Sequence, residues 1–346
     1  MLAIFHGPFR TTDSPGARSD AIHHPRTARC SIYAPVLITP SAAVGCALRL
    51  RRHGVVAIPN PRLSTTLKTT RSISATSRLC RAARGPVVLV PTMGALHRGH
   101  AALIEKARSL AGRDGLVVVS IFVNPTQFGP KEDFSRYPRP FAADRKLCAE
   151  HGADVIFHPR AEAMYPAGNS TLVDESDVSA VLCGASRPGH FRGVCTVVLK
   201  LFQITQPDVA VFGLKDFQQC AVIRRMVRDL NVPVRIVPVE TVREPDGLAL
   251  SSRNRYLSAD ERAQAPVLRR ALLAAASAFH AGEIRAAKLR QLLLKTIATA
   301  PLARPDYVEI ADADSLRPIR EARRGTVFAL AIFFGRTRLI DNLWLR

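Results

Sequence analysis

Residues 86–100 read Pro86-Val87-Val88-Leu89-Val90-Pro91-Thr92-Met93-Gly94-Ala95-Leu96-His97-Arg98-Gly99-His100. An apolar strand carries the chain to a sheet edge, and Gly94 and Gly99 let the backbone turn and pass close to a ligand. A helix starting near Gly99 has unpaired N–H groups in its first turn. His97 and His100, three apart at that start, lie on one side of the turn, where both can donate hydrogen bonds to phosphate oxygens. Strand, glycine turn and helix start together make a phosphate-binding arrangement. A plain structural turn with two surface histidines fits the same residues. A zinc pair fits less well: His-x-x-His lacks the glutamate and the i, i+4 spacing of a metalloprotease helix, and no third ligand is near.

Outward from this stretch the pattern alternates. Strands are predicted at 86–90, 116–123, 154–158, 208–212 and 234–239, and amphipathic helices near 99–111, 140–151, 194–206 and 216–230. Such alternation implies right-handed crossovers and a parallel, doubly wound α/β sheet. Ligands of such sheets sit outside the carboxyl ends of the strands. The histidine turn, Phe122-Val-Asn-Pro and Phe212-Gly-Leu-Lys each follow a strand, so all three should open onto one crevice. After residue 250 the character changes. Ser258-Ala-Asp-Glu261 is a capping box opening a helix to about 280, and a second helix runs near 283–299. Strands at 307–310, 326–334 and 338–342 then follow without intervening helices, as in a small antiparallel sheet. The predicted organisation is a basic extension over 1–69, a domain carrying the phosphate-binding turn over 70–248 and a smaller C-terminal α+β domain over 249–346.

A chain of 346 residues that is 47% hydrophobic and 22% charged can bury a sizeable core. No apolar run reaches the ~18 residues of a membrane span, so no membrane partner is expected. The net charge of +21 is uneven: residues 1–84 hold 13 Lys and Arg against 2 Asp and Glu, about half the excess in a quarter of the chain. The rest is mildly basic, which suits anionic substrates rather than nucleic acid. Seven cysteines without a Cys-x-x-Cys spacing point to a reducing compartment, with Cys148, Cys195 and Cys220 as small core residues. The first seventy residues are rich in proline, arginine, serine and threonine and show no sustained period, so little stable structure is expected there. This composition suits an organelle transit peptide. A translation start placed too far upstream, the true one being near Val55 or Val56, is the favoured alternative, and cytoplasmic residence goes with it.

The run Pro91-Thr92-Met93-Gly94-Ala95-Leu96-His97-x-Gly99-His100 resembles the His-x-Gly-His signature of the nucleotidyltransferase superfamily, and within it the pantothenate synthetase (pantoate–β-alanine ligase) family. Five more motifs follow in order: Ser120-Ile-Phe-Val-Asn-Pro-Thr-Gln-Phe128, Arg136-Tyr-Pro-Arg139, Pro188-Gly-His-Phe-Arg-Gly-Val194, Phe212-Gly-Leu-Lys-Asp-Phe-Gln-Gln219 and Arg243-Glu-Pro-Asp-Gly-Leu-Ala-Leu-Ser-Ser-Arg-Asn254. The resemblance spans about Thr70 to Arg346. It implies a Rossmann-like first domain, a C-terminal lid, a homodimer, and ligation of pantoate to β-alanine through a pantoyl adenylate, with ATP as substrate and Mg²⁺ as cofactor.

It further implies site residues. Met93, Gly94, Ala95, Leu96, His97, Arg98, Gly99 and His100 match the ATP loop, with His100 matching the catalytic histidine and His97, His100 and Lys215 as the catalytic set, the two histidines on the triphosphate. In Gly213-Leu214-Lys215-Asp216 the lysine matches a phosphate contact and Asp216 a ribose or Mg²⁺ contact. Val242 would line the adenine site, and Leu250, Ser251, Ser252 and Arg253 resemble the mobile phosphate loop. Gln127 and Gln219 match the pantoate ligands, with Asn124 supporting them and Arg187 and His190 as second-rank phosphate contacts. The chain departs from the family at Leu214 (commonly Glu), Thr126 (Met), Pro245 (Ala) and Phe217 (also Tyr). A related nucleotidyltransferase acting on another acid is the alternative enzyme. An RNA-binding protein on a degenerate core is opposed by intact nucleotide residues and by a basic segment without interleaved aromatics.

Overall fold

A computed structural model describes residues 66–129 and 134–346. The extension read from the sequence lies outside the described residues up to position 65, as do Cys30 and Cys46. Six parallel strands build the larger sheet: β1 (Lys68–Thr70), β2 (Val87–Thr92), β3 (Leu116–Ile121), β4 (Val155–Phe157), β5 (Val209–Gly213) and β6 (Arg235–Val239). Between them run α1 (Ile73–Arg81), α2 (Arg98–Ala111), α3 (Phe141–Glu150), α4 (Ala161–Met164), α5 (Cys183–Ser186), α6 (His190–Thr205) and, after β5, α7 (Phe217–Asp229). The strand order is β1-β4-β3-β2-β5-β6. The chain therefore steps from β2 outward through β3 and β4, then returns to lay β5 on the other side of β2. The crevice for a ligand belongs at that reversal, beyond the carboxyl ends of β2 and β5.

Alternation along β2 explains why helices cover both faces. Val88 and Val90 pack with Leu103, Ile104 and Ala107 of α2 and Cys148 of α3. Val87 and Leu89 point the other way, to Val194, Val198 and Leu201 of α6 and Val222 of α7. Each such side chain taken out of water contributes roughly 1.5–3 kcal/mol. A one-residue slip of β2 would exchange the two faces, so the register is strongly held.

The second sheet is antiparallel, β7 (Ala303–Asp312), β8 (Thr326–Phe334) and β9 (Thr337–Trp344), preceded by α8 (Ala259–Gln264), α9 (Val267–His280) and α10 (Ala286–Ile297). Leu272 of α9 and Leu289 and Leu293 of α10 bury Val308, Phe328, Leu330 and Ile332 on one face. The other face contributes Ala311 and Val327 to the α6–α7 core, with Ile340 and Trp344 of β9 against it.

Several elements differ from the sequence reading. The helix expected from 194 begins at His190, because Gly189 at φ 79° turns the chain into it. The single helix expected from Ser258 to about 280 is α8 and α9, broken at Pro266, which has no N–H for the helical ladder. β1 has no counterpart in the sequence reading, since three residues are too few to display a period, and α1 has none either. β7 runs well beyond 307–310. The five described cysteines are free and buried, and burial pushes the thiols of Cys148, Cys195 and Cys220 up to about 12, so they are packing residues. Among the described residues no helix is long and apolar enough to cross a membrane.

Candidate active site

After β2, Gly94 and Ala95 both take positive φ, 83° and 51°, and reverse the chain into α2. His97 is the N-cap of that helix and His100 its third residue. The His97 N–H donates to His100 Nδ1 at 3.2 Å and the Gly99 N–H to His97 Nδ1 at 3.1 Å, a capping box made of imidazoles. The unpaired N–H groups expected at this helix start are therefore partly consumed, because the rings lie within reach of them. Accepting at Nδ1 obliges each neutral ring to carry its proton on Nε2. The helix start thus presents two imidazole Nε2–H donors, ring centroids 4.2 Å apart, in place of bare backbone. Both rings stay neutral at pH 7. Burial, then the Lys215 charge, pushes His97 down to about 4; burial, then His97, pushes His100 down to about 3.

The rings line a cavity of about 250 Å³ at the reversal of strand order. Met93 and Gly99 reach it from the histidine turn, and Gly213, Lys215 and Asp216 from the end of β5. A single 3-10 turn, Leu214–Asp216, joins β5 to α7. It buries Leu214 in the apolar core, which explains why an apolar residue is at home there. Lys215 Nζ lies 3.7 Å from Asp216 Oδ1, with the lysine side chain largely sheltered and the carboxylate about half exposed.

Gln127 closes a 3-10 turn after β3, and its amide is oriented on both ends. Asn124 Nδ2 donates to Gln127 Oε1 at 3.2 Å, and Gln127 Nε2 donates to Met93 Sδ at 2.9 Å. Asn124 also donates to the Gly193 carbonyl and accepts from the Tyr165 hydroxyl. Thr126 fits this network through its own hydroxyl, 3.0 Å from Asn124 Oδ1. Gly193 permits the close crossing of α6, since a Cβ there would strike the backbone of Thr126 and Gln127. The tandem glutamines divide their work. Gln218 is buried against Cys183 N and the carbonyls of Val178 and Val181, whereas Gln219 lines the cavity.

Val242, Leu250, Ser251, Ser252 and Arg253 complete the wall beyond β6. Leu250 N donates to the Val242 carbonyl, and the Ser251 hydroxyl caps the turn by accepting from Arg253 N. Arg187 and His190 also line the cavity, in a distinct arrangement. His190 Nδ1–H donates to the Gln127 carbonyl at 2.8 Å, so its Nε2 accepts from Arg187 at 3.0 Å. This histidine is the first residue of α6 rather than part of a loop. Gly94, Ala95, Leu96, Arg98 and Leu214 do not line the cavity; the first three shape the turn. A larger cleft of about 760 Å³ adjoins it, sharing Lys215, Asp216, Gln219 and Arg253 and extending to β9.

Sequence reasoning missed the contribution of β9. Asn342 Nδ2 donates to the carbonyls of Leu214 and Lys215 at 2.8 and 3.0 Å. Its neighbour Asp341, almost wholly buried, accepts from both terminal nitrogens of Arg243, Nη1 and Nη2, at 2.7 and 2.9 Å. The Trp344 ring meets Phe217 edge to face. Asp341-Asn342 are visible in the sequence, but nothing in a strand pattern tells which loops they reach.

Residues 63–344 match the family model described as pantoate-beta-alanine ligase. A pantothenate synthetase of Moorella thermoacetica is 55% identical over 257 residues, 74% of this chain and 90% of that protein. One of Geobacter sulfurreducens is 53% identical over 270 residues, 78% of this chain and 94% of its own. The crystal structure of a pantothenate synthetase from Thermus thermophilus superposes with a TM-score of 0.76 at 47% identity, covering 81% of this chain and 99% of that one. A pantoate-beta-alanine ligase from Francisella tularensis, complexed with beta-gamma ATP and beta-alanine, superposes at 0.65 with 33% identity, covering 81% and 98%.

Proposed function

The chain belongs to the pantoate–β-alanine ligase family, and on that premise we propose how its own residues carry the ATP-dependent ligation of pantoate to β-alanine. A pantoate carboxylate oxygen attacks the α-phosphorus of ATP, and the bond to pyrophosphate breaks. The amine of β-alanine then attacks the acyl carbon of the adenylate, the bond to AMP breaks, and the amine loses its proton. Pantoate's carboxyl group is already ionised near neutral pH, so the first step needs alignment and charge stabilisation rather than a base.

The observation that carries this reading is the pair of backbone N–H bonds to His97 and His100 Nδ1. They fix both Nε2–H groups as neutral donors on the cavity wall, suited to the charge that grows on the departing pyrophosphate. Lys215 adds a point charge, and Arg253, Ser251 and Ser252 offer donors from the facing loop. Gln127 and Gln219, each able to donate and accept, suit a dihydroxy acid. Arg187 and His190 support the pantoate side by holding the Gln127 main chain. Mg²⁺ suits the site as a companion of the triphosphate: it keeps most of its waters and needs only a carboxylate such as Asp216 besides phosphate, and among the described residues no cluster of three ligands exists to hold it alone. When bound it would neutralise phosphate charge. A homodimer, by resemblance, belongs to the same proposal, as do cytoplasmic residence and a division at about residue 248, where the element pattern changes. The alternative acid acceptor is not favoured.

ATP–pyrophosphate exchange tests the reading. Exchange that needs pantoate but not β-alanine is expected; exchange indifferent to pantoate would overturn it.

A further inference from the structure

Behind the histidine turn lies a buried carboxylate that the reaction itself does not use. Asp144 of α3 is 2% exposed. Its Oδ2 accepts from the Ala95 N–H at 3.0 Å and its Oδ1 from the Leu96 N–H at 2.7 Å. Burial pushes the carboxyl group up from its ordinary range, and these two donors pull it back. Both oxygens being engaged by N–H groups is the pattern of a carboxylate, since an amide has only one acceptor end. The turn it holds is the strained one: Ala95 carries a side chain at φ 51°. Gly94 makes room for the carboxylate, because a Cβ there would lie 3.0 Å from Oδ2.

We propose that Asp144 is a positioning residue that holds the left-handed turn at Gly94–Leu96 and so aims the His97 and His100 Nε2–H groups into the cavity. The carboxylate occupies the turn's own N–H donors, leaving anion recognition at this strand end to the imidazoles. The two histidines then inherit their places: His97 as N-cap, His100 as its reciprocal partner. The inference rests on the roles proposed above for those histidines.

Asp144→Asn keeps the shape but turns an N–H end toward one of the two backbone donors. Pantoate-dependent exchange should fall by about 10²-fold, the scale at which a small misplacement acts, while the KM for pantoate stays within about twofold. In ¹⁵N-histidine spectra the wild type should show both rings neutral with the proton on Nε2, and the variant a changed tautomer balance. Near-normal exchange in the folded variant would overturn the proposal. So would a loss in which pantoate KM rises in step and the ring signals stay put, the mark of a general lesion. Should the variant not fold, amide exchange in the wild type decides: slow exchange at Ala95 and Leu96 is expected, and rates of an open loop there would overturn the idea. The ring and amide signals are read without turnover, so a failure of the ligase reading and a failure of this one are separable.

Discussion

The histidine turn and β9 both shape the cavity at the reversal of strand order, but they are built at opposite ranges. The imidazole capping box closes within three residues, His97 to His100. β9 joins Asn342 to carbonyls 127 and 128 positions away, and Asp341 to an arginine 98 positions away. Local bonds decide what the site offers chemically, as two Nε2–H donors. Distant bonds decide where the Lys215 turn and the Val242–Arg253 loop stand relative to them. The donors are chosen by neighbours in sequence, and their alignment by neighbours in space.

The comparison breaks most severely at the ion pair of β9. Arg243→Ala would leave the Asp341 carboxylate, 1% exposed, without its partner. Urea unfolding should show a loss of about 3–5 kcal/mol, the cost of an uncompensated buried charge; a loss below about 1 kcal/mol would mean the pair is solvated in practice. Next comes the turn. His100→Ala should lower exchange by on the order of 10²–10³ through loss of one transition-state donor, with the fold intact by circular dichroism. Asn342→Ala removes two neutral hydrogen bonds and frees the carbonyls of Leu214 and Lys215. Its expected effect is about tenfold in kcat/KM for ATP with little change in pantoate KM. An equal change in both would assign Asn342 to general packing instead of to the lysine turn.

The turn also carries a pH dependence with a definite sign. The histidines titrate near 6.5 when unfolded and near 4 and 3 in the fold. Between those values the unfolded state binds more protons, so stability falls as pH drops from about 6.5 toward 3, His97 contributing down to about 4, and is unaffected by these rings above that window. Urea unfolding at pH 5 and pH 7 measures it, and His97→Gln should reduce the difference. The exchange rate should show no inflection near 6.5 arising from either ring. A histidine that must be protonated to act would produce one.

How much of this was legible in the sequence follows the same division by range. The β2 strand, the glycine turn and the two histidines are contiguous, and their order alone placed a donor pair at a strand end. Strands β2 to β6 of the larger sheet were legible because each is a short apolar run between polar helix faces, whereas the polar Lys68-Thr69-Thr70 of β1 carries no such signal. The start of α6 was not, because Arg187-Pro188-Gly189 reads as a loop, and only the left-handed Gly189 makes His190 a first helical residue. The tautomers of His97 and His100 were not legible either, since a histidine that caps a helix and one that merely sits near it are the same letter. Gln219 was found through its motif, while its difference from Gln218 emerges only from burial. The roles of Asp144, Arg243 and Asn342 depend on contacts across the fold and left no local signal.

In the proposed reaction pantoate's carboxylate attacks the α-phosphate of ATP. This attack is tested most directly by running the full reaction with pantoate labelled with ¹⁸O in its carboxylate and analysing AMP by mass spectrometry. The adenylate route transfers one labelled oxygen to the AMP formed in each turnover. AMP without label would contradict the account.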